Sequence, residues 1–142
     1  MSTTHWKSAD CYINGDPTLK LQYANVSFPY TKITCISPGD LKWIDMGIDV
    51  PPGTIIKGIT VCYQLSNPRS YISQVRLTEQ TTPNTRLVHH DDPTDLLSTS
   101  PVCVTSPVSY GAAFNGAINL SLRLNFSNVG DSIMLGAVGV HY

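Results

Sequence analysis

Charge is scarce in this sequence. Only 13% of its 142 residues are Asp, Glu, Lys or Arg, about half the usual share of a globular protein, and glutamate occurs once, as Glu79. Ala, Leu, Glu and Lys do not dominate, so the residues that populate exposed helix faces are in short supply. Nine Lys and Arg are scattered singly against ten acidic residues, for a net charge of −1. That balance gives no grip on a phosphate backbone or an anionic bilayer, so neither nucleic acid nor a membrane is expected as a partner. No apolar run approaches the ~18 residues that a spanning helix needs, and residues 1–10 show neither a basic nor an apolar leader segment. The compartment is left open.

Sequence signatures of catalysis are missing as well. The chain has no Gly-x-Ser-x-Gly elbow, no phosphate-binding glycine loop, no dinucleotide fingerprint, no His-Glu-x-x-His and no EF-hand loop. Cys11, Cys35, Cys62 and Cys103 are widely spaced and lack a Cys-x-x-Cys pair, which argues against a zinc knuckle or a thioredoxin-like site. Buried free thiols are the expected state, since free cysteine packs as a small hydrophobe. One or two disulfides are the alternative.

What is present is punctuation and alternation. Ten Gly and ten Pro divide the chain into short segments. In Ala117 to Phe126 the residues Ile118, Leu120, Leu122, Leu124 and Phe126 share one face, opposite Asn119, Ser121, Arg123 and Asn125. Such a pattern predicts a strand with one dry and one wet side. Ile55–Leu65 and Ser70–Glu79 alternate in the same way around an Asn67-Pro68 turn, and read as consecutive antiparallel strands. Thr18–Tyr23, Lys32–Ile36, Leu41–Ile48, Thr85–His90, Val102–Val108 and Ser132–Tyr142 complete the set. The last is apolar on both faces, which places it inside a sheet or under a subunit contact. The expectation is one domain over residues 1–142: an all-β, antiparallel β-sandwich or jelly roll of about 8–10 short strands.

The densest chemistry is His89-His90-Asp91-Asp92-Pro93-Thr94-Asp95. An unbroken strand would set His89 with Asp91 on one side and His90 with Asp92 on the other. Either pair could orient a general base, and Asp91, Asp92 and Asp95 offer the hard oxygens that calcium prefers. The structural alternative is a capped helical turn, with Asp92 as N-cap and Pro93 at the first helical position. The candidate ligand-binding residues are therefore His89, His90, Asp91, Asp92 and Asp95; no catalytic residue and no cofactor other than calcium is assigned. His5 and His141 lie near the termini, where a surface or subunit contact is the default.

Tyrosine leads the aromatic content, as in Tyr12, Tyr23, Tyr30, Tyr63, Tyr71 and Tyr110, beside Phe28 and Trp43. An amphipathic ring suits sugar faces and protein interfaces as well as cores. A charge-poor surface repels its own copies weakly, so homo-oligomerisation is expected.

The stretch Trp43-Ile-Asp-Met-Gly-Ile-Asp-Val-Pro-Pro-Gly-Thr-Ile-Ile-Lys-Gly-Ile-Thr-Val-Cys-Tyr, with the closing Gly136-Ala-Val-Gly-Val-His-Tyr142, resembles β-sandwich domains of bacterial and phage surface or tail-fibre-like proteins. That resemblance implies a trimeric jelly roll used for assembly or glycan contact. Together these features point to a non-enzymatic binding or assembly module that self-associates and contacts a carbohydrate or protein surface. A small β-barrel enzyme using a His/Asp pair in an aromatic pocket is the second expectation, and an ion-binding structural domain the third.

Overall fold

A chain that sorts its side chains with period two can bury one face of each strand only by stacking sheets. The computed structural model, which describes residues 2–142, has that architecture: eleven strands in two antiparallel sheets. The strands are β1 (Thr4–Lys7), β2 (Ile13–Asn14), β3 (Leu19–Gln22), β4 (Thr31–Cys35), β5 (Gly39–Ile48) and β6 (Gly58–Leu65). They continue with β7 (Tyr71–Thr82), β8 (Thr85–Asp92), β9 (Val102–Pro107), β10 (Ala117–Phe126) and β11 (Ile133–His141). Each of the nine expected strands is present, and the additions are the four-residue β1 and the two-residue β2.

One sheet has the order β3-β4-β11-β6-β9, with β1 also on β11; the other has the order β2-β5-β10-β7-β8. Their inner faces meet in a single core. Ile44, Met46, Leu77, Leu120, Leu122 and Leu124 come from the five-stranded sheet, and Ile33, Ile59, Val61, Ile133, Leu135 and Val140 from the six-stranded one. As expected from its two apolar faces, β11 lies inside its sheet, flanked by β4 and β1 on one side and β6 on the other.

One sequence expectation fails on connectivity. β6 and β7 are not hairpin partners: β6 pairs with β11 and β9, while β7 pairs with β10 and β8. The Asn67-Pro68 turn carries the chain across the sandwich, as does the turn after β10. The two crossings lie side by side and are laced together. Arg69 donates from Nε and Nη2 to the two Asp131 oxygens at 2.9 and 3.0 Å, Ser70 Oγ donates to Asp131 at 2.6 Å, and the Ser66 amide donates to the Ser132 carbonyl at 3.0 Å. The Arg69 hydrogen bond opposes burial and, with that from Ser70, holds the buried Asp131 carboxyl below its usual range.

The expectation of four free thiols is also corrected. Cys62 and Cys103 stand directly opposite each other on β6 and β9 and form a disulfide, leaving Cys11 and Cys35 free. The bridge ties the edge strand β9 to the interior of its sheet across a separation of 41 residues.

Chain entropy over that loop gives the bridge about 4 kcal/mol. A Cys62→Ser/Cys103→Ser variant is therefore expected to lose stability of that order in denaturant titrations. Thiol titration of the unreduced, unfolded chain should count two reactive groups; four would contradict the bridge.

Candidate functional site

The inner faces are occupied by the core, so chemistry must sit at the edges, on the outer faces or in the loops. At one long edge β8 and β9 bring the two sheets together, and the His89–Asp95 cluster lies there. β8 is not an unbroken strand. His90 pairs with Leu77 and Val88 with Thr78, so His89 is an extra, bulged residue. The bulge turns His89 toward the core side, where His90 and Asp92 also face, opposite Leu77 and Val75. Asp91 alone of the four stays on the outer face, opposite Arg76.

His89 Nε2 lies 2.9 Å from Glu79 Oε1. The other Glu79 oxygen accepts the Asn115 and Gly116 amides, each at 2.5 Å. The His89 ring stacks on Tyr110 with centroids 4.0 Å apart and meets the edge of Phe114 at 5.3 Å. One buried carboxylate therefore binds the loop before β10 to β7 and β8. The Gly116 amide, then the Asn115 amide and His89, outweigh burial and keep Glu79 below the ordinary carboxylate range. Gly116 is required there, since a Cβ would approach the Gln80 carbonyl oxygen to 2.6 Å.

The neighbouring cluster has a composition that invites a catalytic interpretation and a geometry that does not support one. Ser106 Oγ donates to Asp92 Oδ2 at 2.6 Å and lies 2.7 Å from His90 Nε2. The single hydroxyl proton is committed to the carboxylate, so His90 must be the donor in the second bond. A nucleophile activated by an imidazole base needs the opposite polarity. The adjoining cavity is about 150 Å³, and its walls are Val, Leu, Thr and Pro side chains besides Asp92 and Ser106, with no aromatic ring. The expected capped helical turn is absent too: after Asp92 the chain bends, with the Thr94 amide on Asp92 Oδ1 at 3.0 Å, and Leu96 bridges to Ile72. His90–Ser106–Asp92 is a polar seam between the edges of the two sheets.

Asp91, Asp92 and Asp95 are not gathered. Asp91 meets Arg76 at 3.3 Å on the outer face, Asp92 turns to Ser106, and Asp95 is exposed on the bend. Among the described residues no group of three or more His, Cys, Asp or Glu converges as an ion cage.

The outer face of the five-stranded sheet is chemically richer than the edge. Across β5, β10, β7 and β8 it presents Trp43, Asp45, Asn119, Ser121, Arg123, Gln74, Arg76, Thr78 and Asp91. Asn119 Nδ2 and Ser121 Oγ both donate to Asp45 Oδ1, at 2.9 and 2.6 Å. Gln74 Nε2 donates to Asp91 Oδ1. The Arg76 guanidinium is held between Asp91 and the Trp43 ring, with its central carbon 4.8 Å from the ring centroid. Gln74, Thr78 and Ser121 are buried although they face outward, so the floor of this face is sheltered. Thr78 Oγ1 is the one buried side-chain polar atom among the described residues without a hydrogen-bond partner. Sequence reasoning had marked Asn119, Ser121 and Arg123 as the wet side of β10. Trp43 is legible as an aromatic candidate, and Gln74 and Arg76 lie on the polar parity of β7, but their meeting with β10 on one face depends on the sheet order.

No family model matches this chain, and no curated protein matches it. Solved structures do. A mutant family 29 carbohydrate-binding module complexed with mannohexaose aligns with a TM-score of 0.59 at 10% identity, covering 99% of this chain and 92% of that one. A family 36 module in complex with calcium and xylotriose aligns at 0.56 and 11%, covering 94% and 97%. The family 36 domain of a multidomain xylanase from the hindgut metagenome of Trinervitermes trinervoides gives 0.56 and 12%, covering 97% and 96%. At such identities the likeness is one of fold. It bears out the jelly-roll expectation, whereas these neighbours lend no support to the surface and tail-fibre resemblance.

The seam sets a pH dependence. Burial pushes His90 below its ordinary value, more strongly than Asp92 and Asp91 raise it. Burial works to raise Asp92, but the bonds from Ser106 and Thr94 prevail and leave it low. Both shifts have the same sign: the unfolded chain binds more protons, so stability rises with pH. The His90 part is complete above about 6.5 and is lost as pH falls from there, while the Asp92 and Glu79 parts disappear below about 4. Denaturant titrations from pH 8 to 3 should show a monotonic fall, and His90→Asn should flatten it between about 7 and 5. A wild-type stability that rises on acidification through that window would contradict the seam.

Proposed function

We propose that the chain is a single, non-enzymatic β-sandwich module that binds uncharged carbohydrate on the outer face of its five-stranded sheet. One observation carries this reading: sheltered polar side chains, already fixed in orientation by one another, surround the half-buried Trp43. Sugars present hydroxyls around the rim of a ring with apolar faces. Planar amide, carboxylate and guanidinium groups in one layer match the rim, and indole matches the face. Because the side chains are held before any ligand arrives, little ordering cost opposes binding. Arg76 and Arg123 stand beside Asp40, Asp45 and Asp91, a nearly balanced set that suits a neutral glycan better than an acidic one.

The neighbours support the reading, since two of them are complexes with xylotriose and mannohexaose. The calcium of the family 36 complex belongs to that protein, and no calcium site is assigned to this one. Of the sequence candidates, Asp91 joins the proposed face, while His89, His90 and Asp92 serve the edge. A second reading, contact with another copy, is favoured by Tyr23, Val26 and Phe28, all exposed on the loop between β3 and β4. Light scattering of the eluted protein tests it: a mass above 15.5 kDa that falls to the monomer in Val26→Ser/Phe28→Ser would support it, and a wild-type monomer would end it.

Calorimetric titration with xylohexaose, mannohexaose and cellohexaose tests the first reading. Arg76→Ala/Asn119→Ala is expected to weaken the site on this face tenfold or more, about 1.4 kcal/mol, with the melting temperature little changed. No heat from any of the three sugars, or wild-type binding by the double variant, would overturn it.

A further inference from the structure

The opposite face of the sandwich has aromatic rings and a groove that the reading above does not use. Trp6 stands on β1 across from Gly139 of β11 and is 52% exposed. A Cβ built on Gly139 would lie 2.9 to 3.1 Å from three atoms of the six-membered indole ring, so the ring rests directly on the strand. Beside it runs a polar row across four strands. Thr4 Oγ1 is 2.9 Å from His141 Nδ1, His141 Nε2 is 2.5 Å from Thr60 Oγ1, and Thr60 Oγ1 is 2.7 Å from Thr105 Oγ1.

Further along β11 the same face dips into an open groove of about 470 Å³, with walls that include Pro29, Tyr30, Met134, Gly136 and the Cys62–Cys103 bridge. No charged side chain lines it. Thr31 is buried opposite Leu135, which leaves Tyr30 on the outer side at the level of Gly136. The β11 positions beside the two rings, Gly136 and Gly139, are three residues apart, about 10 Å of strand at roughly 3.3 Å per residue, across the register shift between Leu135 and Val138. Gly136 and Gly139 keep the track between them low.

Two rings along a glycine-floored track edged by threonine hydroxyls, with no charged side chain in the groove walls and the exposed Lys32 beside them opposite Met134, suit a chain with alternating apolar faces and hydroxyl rims. A fatty chain would need an enclosed, continuous apolar channel, and this face is open and crossed by the Thr4–His141–Thr60–Thr105 row. An ionic partner would find no lining charge to pair with.

We propose that the outer face of the six-stranded sheet is a second, independent site for a neutral polysaccharide chain, with Trp6 and Tyr30 as its stacking rings. The module would then grip two chains at once and cross-link them. This rests on the carbohydrate reading of the first face, and the experiment separates the two.

The full chain is titrated with the same three hexasaccharides and mixed with soluble xylan and glucomannan. Two sugars per wild-type chain are expected, along with turbidity from cross-linking. Trp6→Ala/Tyr30→Ala should keep one of the two sites and abolish turbidity, and Arg76→Ala/Asn119→Ala should do the same from the other side. Gly139→Val, which displaces the indole without deleting it, should weaken the Trp6 site tenfold or more. Circular dichroism and melting curves check that each variant is folded. A wild-type stoichiometry of one, untouched by Trp6→Ala/Tyr30→Ala and Gly139→Val but lost in Arg76→Ala/Asn119→Ala, overturns the second site and leaves the first standing. A single site lost only in Trp6→Ala/Tyr30→Ala overturns the first face and the two-chain grip together.

Discussion

A two-layer sandwich spends the inner face of each strand on the space between its sheets, and this constraint governs the rest of the molecule. Ile118, Leu120, Leu122, Leu124 and Phe126 are all buried on one side of β10; none can serve recognition. Binding is left to the outer faces, the edges and the loops. The composition fits this division, because the outer faces stay wet mainly through Ser, Thr, Asn, Gln and Tyr with a few paired charges such as Arg76 and Asp91.

The edges are the weak part of such a fold, since each exposes unpaired backbone. Here the titratable side chains are used to close them. Glu79 holds the Asn115 and Gly116 amides and His89; His90, Ser106 and Asp92 join β8 to β9; Asp131 secures the two crossings through Arg69 and Ser70. The disulfide holds β9 from its other side. A buried carboxylate unsatisfied by such bonds would be costly, and in these clusters the donors are supplied from backbone or neighbouring strands. The His-Asp run is chemically conspicuous because an edge needs strong polar bonds.

Legibility follows from how local each signal is. Alternation is written residue by residue, so the strands β3 to β11 and the dry face of β10 could be read directly. Which sheet a strand joins is not local: the Asn67-Pro68 turn has the same residues whether it closes a hairpin or crosses the sandwich. The bulge at His89 depends on the register of β8 against β7, and that one extra residue moves His89 away from Asp91. The cysteine pairing depends on β6 meeting β9, 41 residues apart in sequence. Trp6 was hidden by its place near the terminus in a four-residue strand. One clue did exist: Gly139, between Val138 and Val140, is a strand glycine, the residue that marks a close approach by another group.

The two outer faces differ in a way that bears on what each could hold. On the five-stranded sheet, polar groups outnumber rings, and Trp43 is partly covered by Arg76, so hydrogen-bond geometry must supply the discrimination. On the six-stranded sheet, rings and a disulfide dominate, and the His141 nitrogens are occupied by Thr4 and Thr60, so stacking must supply the affinity. Stacking tolerates changes in hydroxyl configuration better than a fixed set of donors and acceptors does. On the proposed reading, the polar face is therefore the one suited to distinguish sugars, and the aromatic face the one suited to hold a chain by stacking.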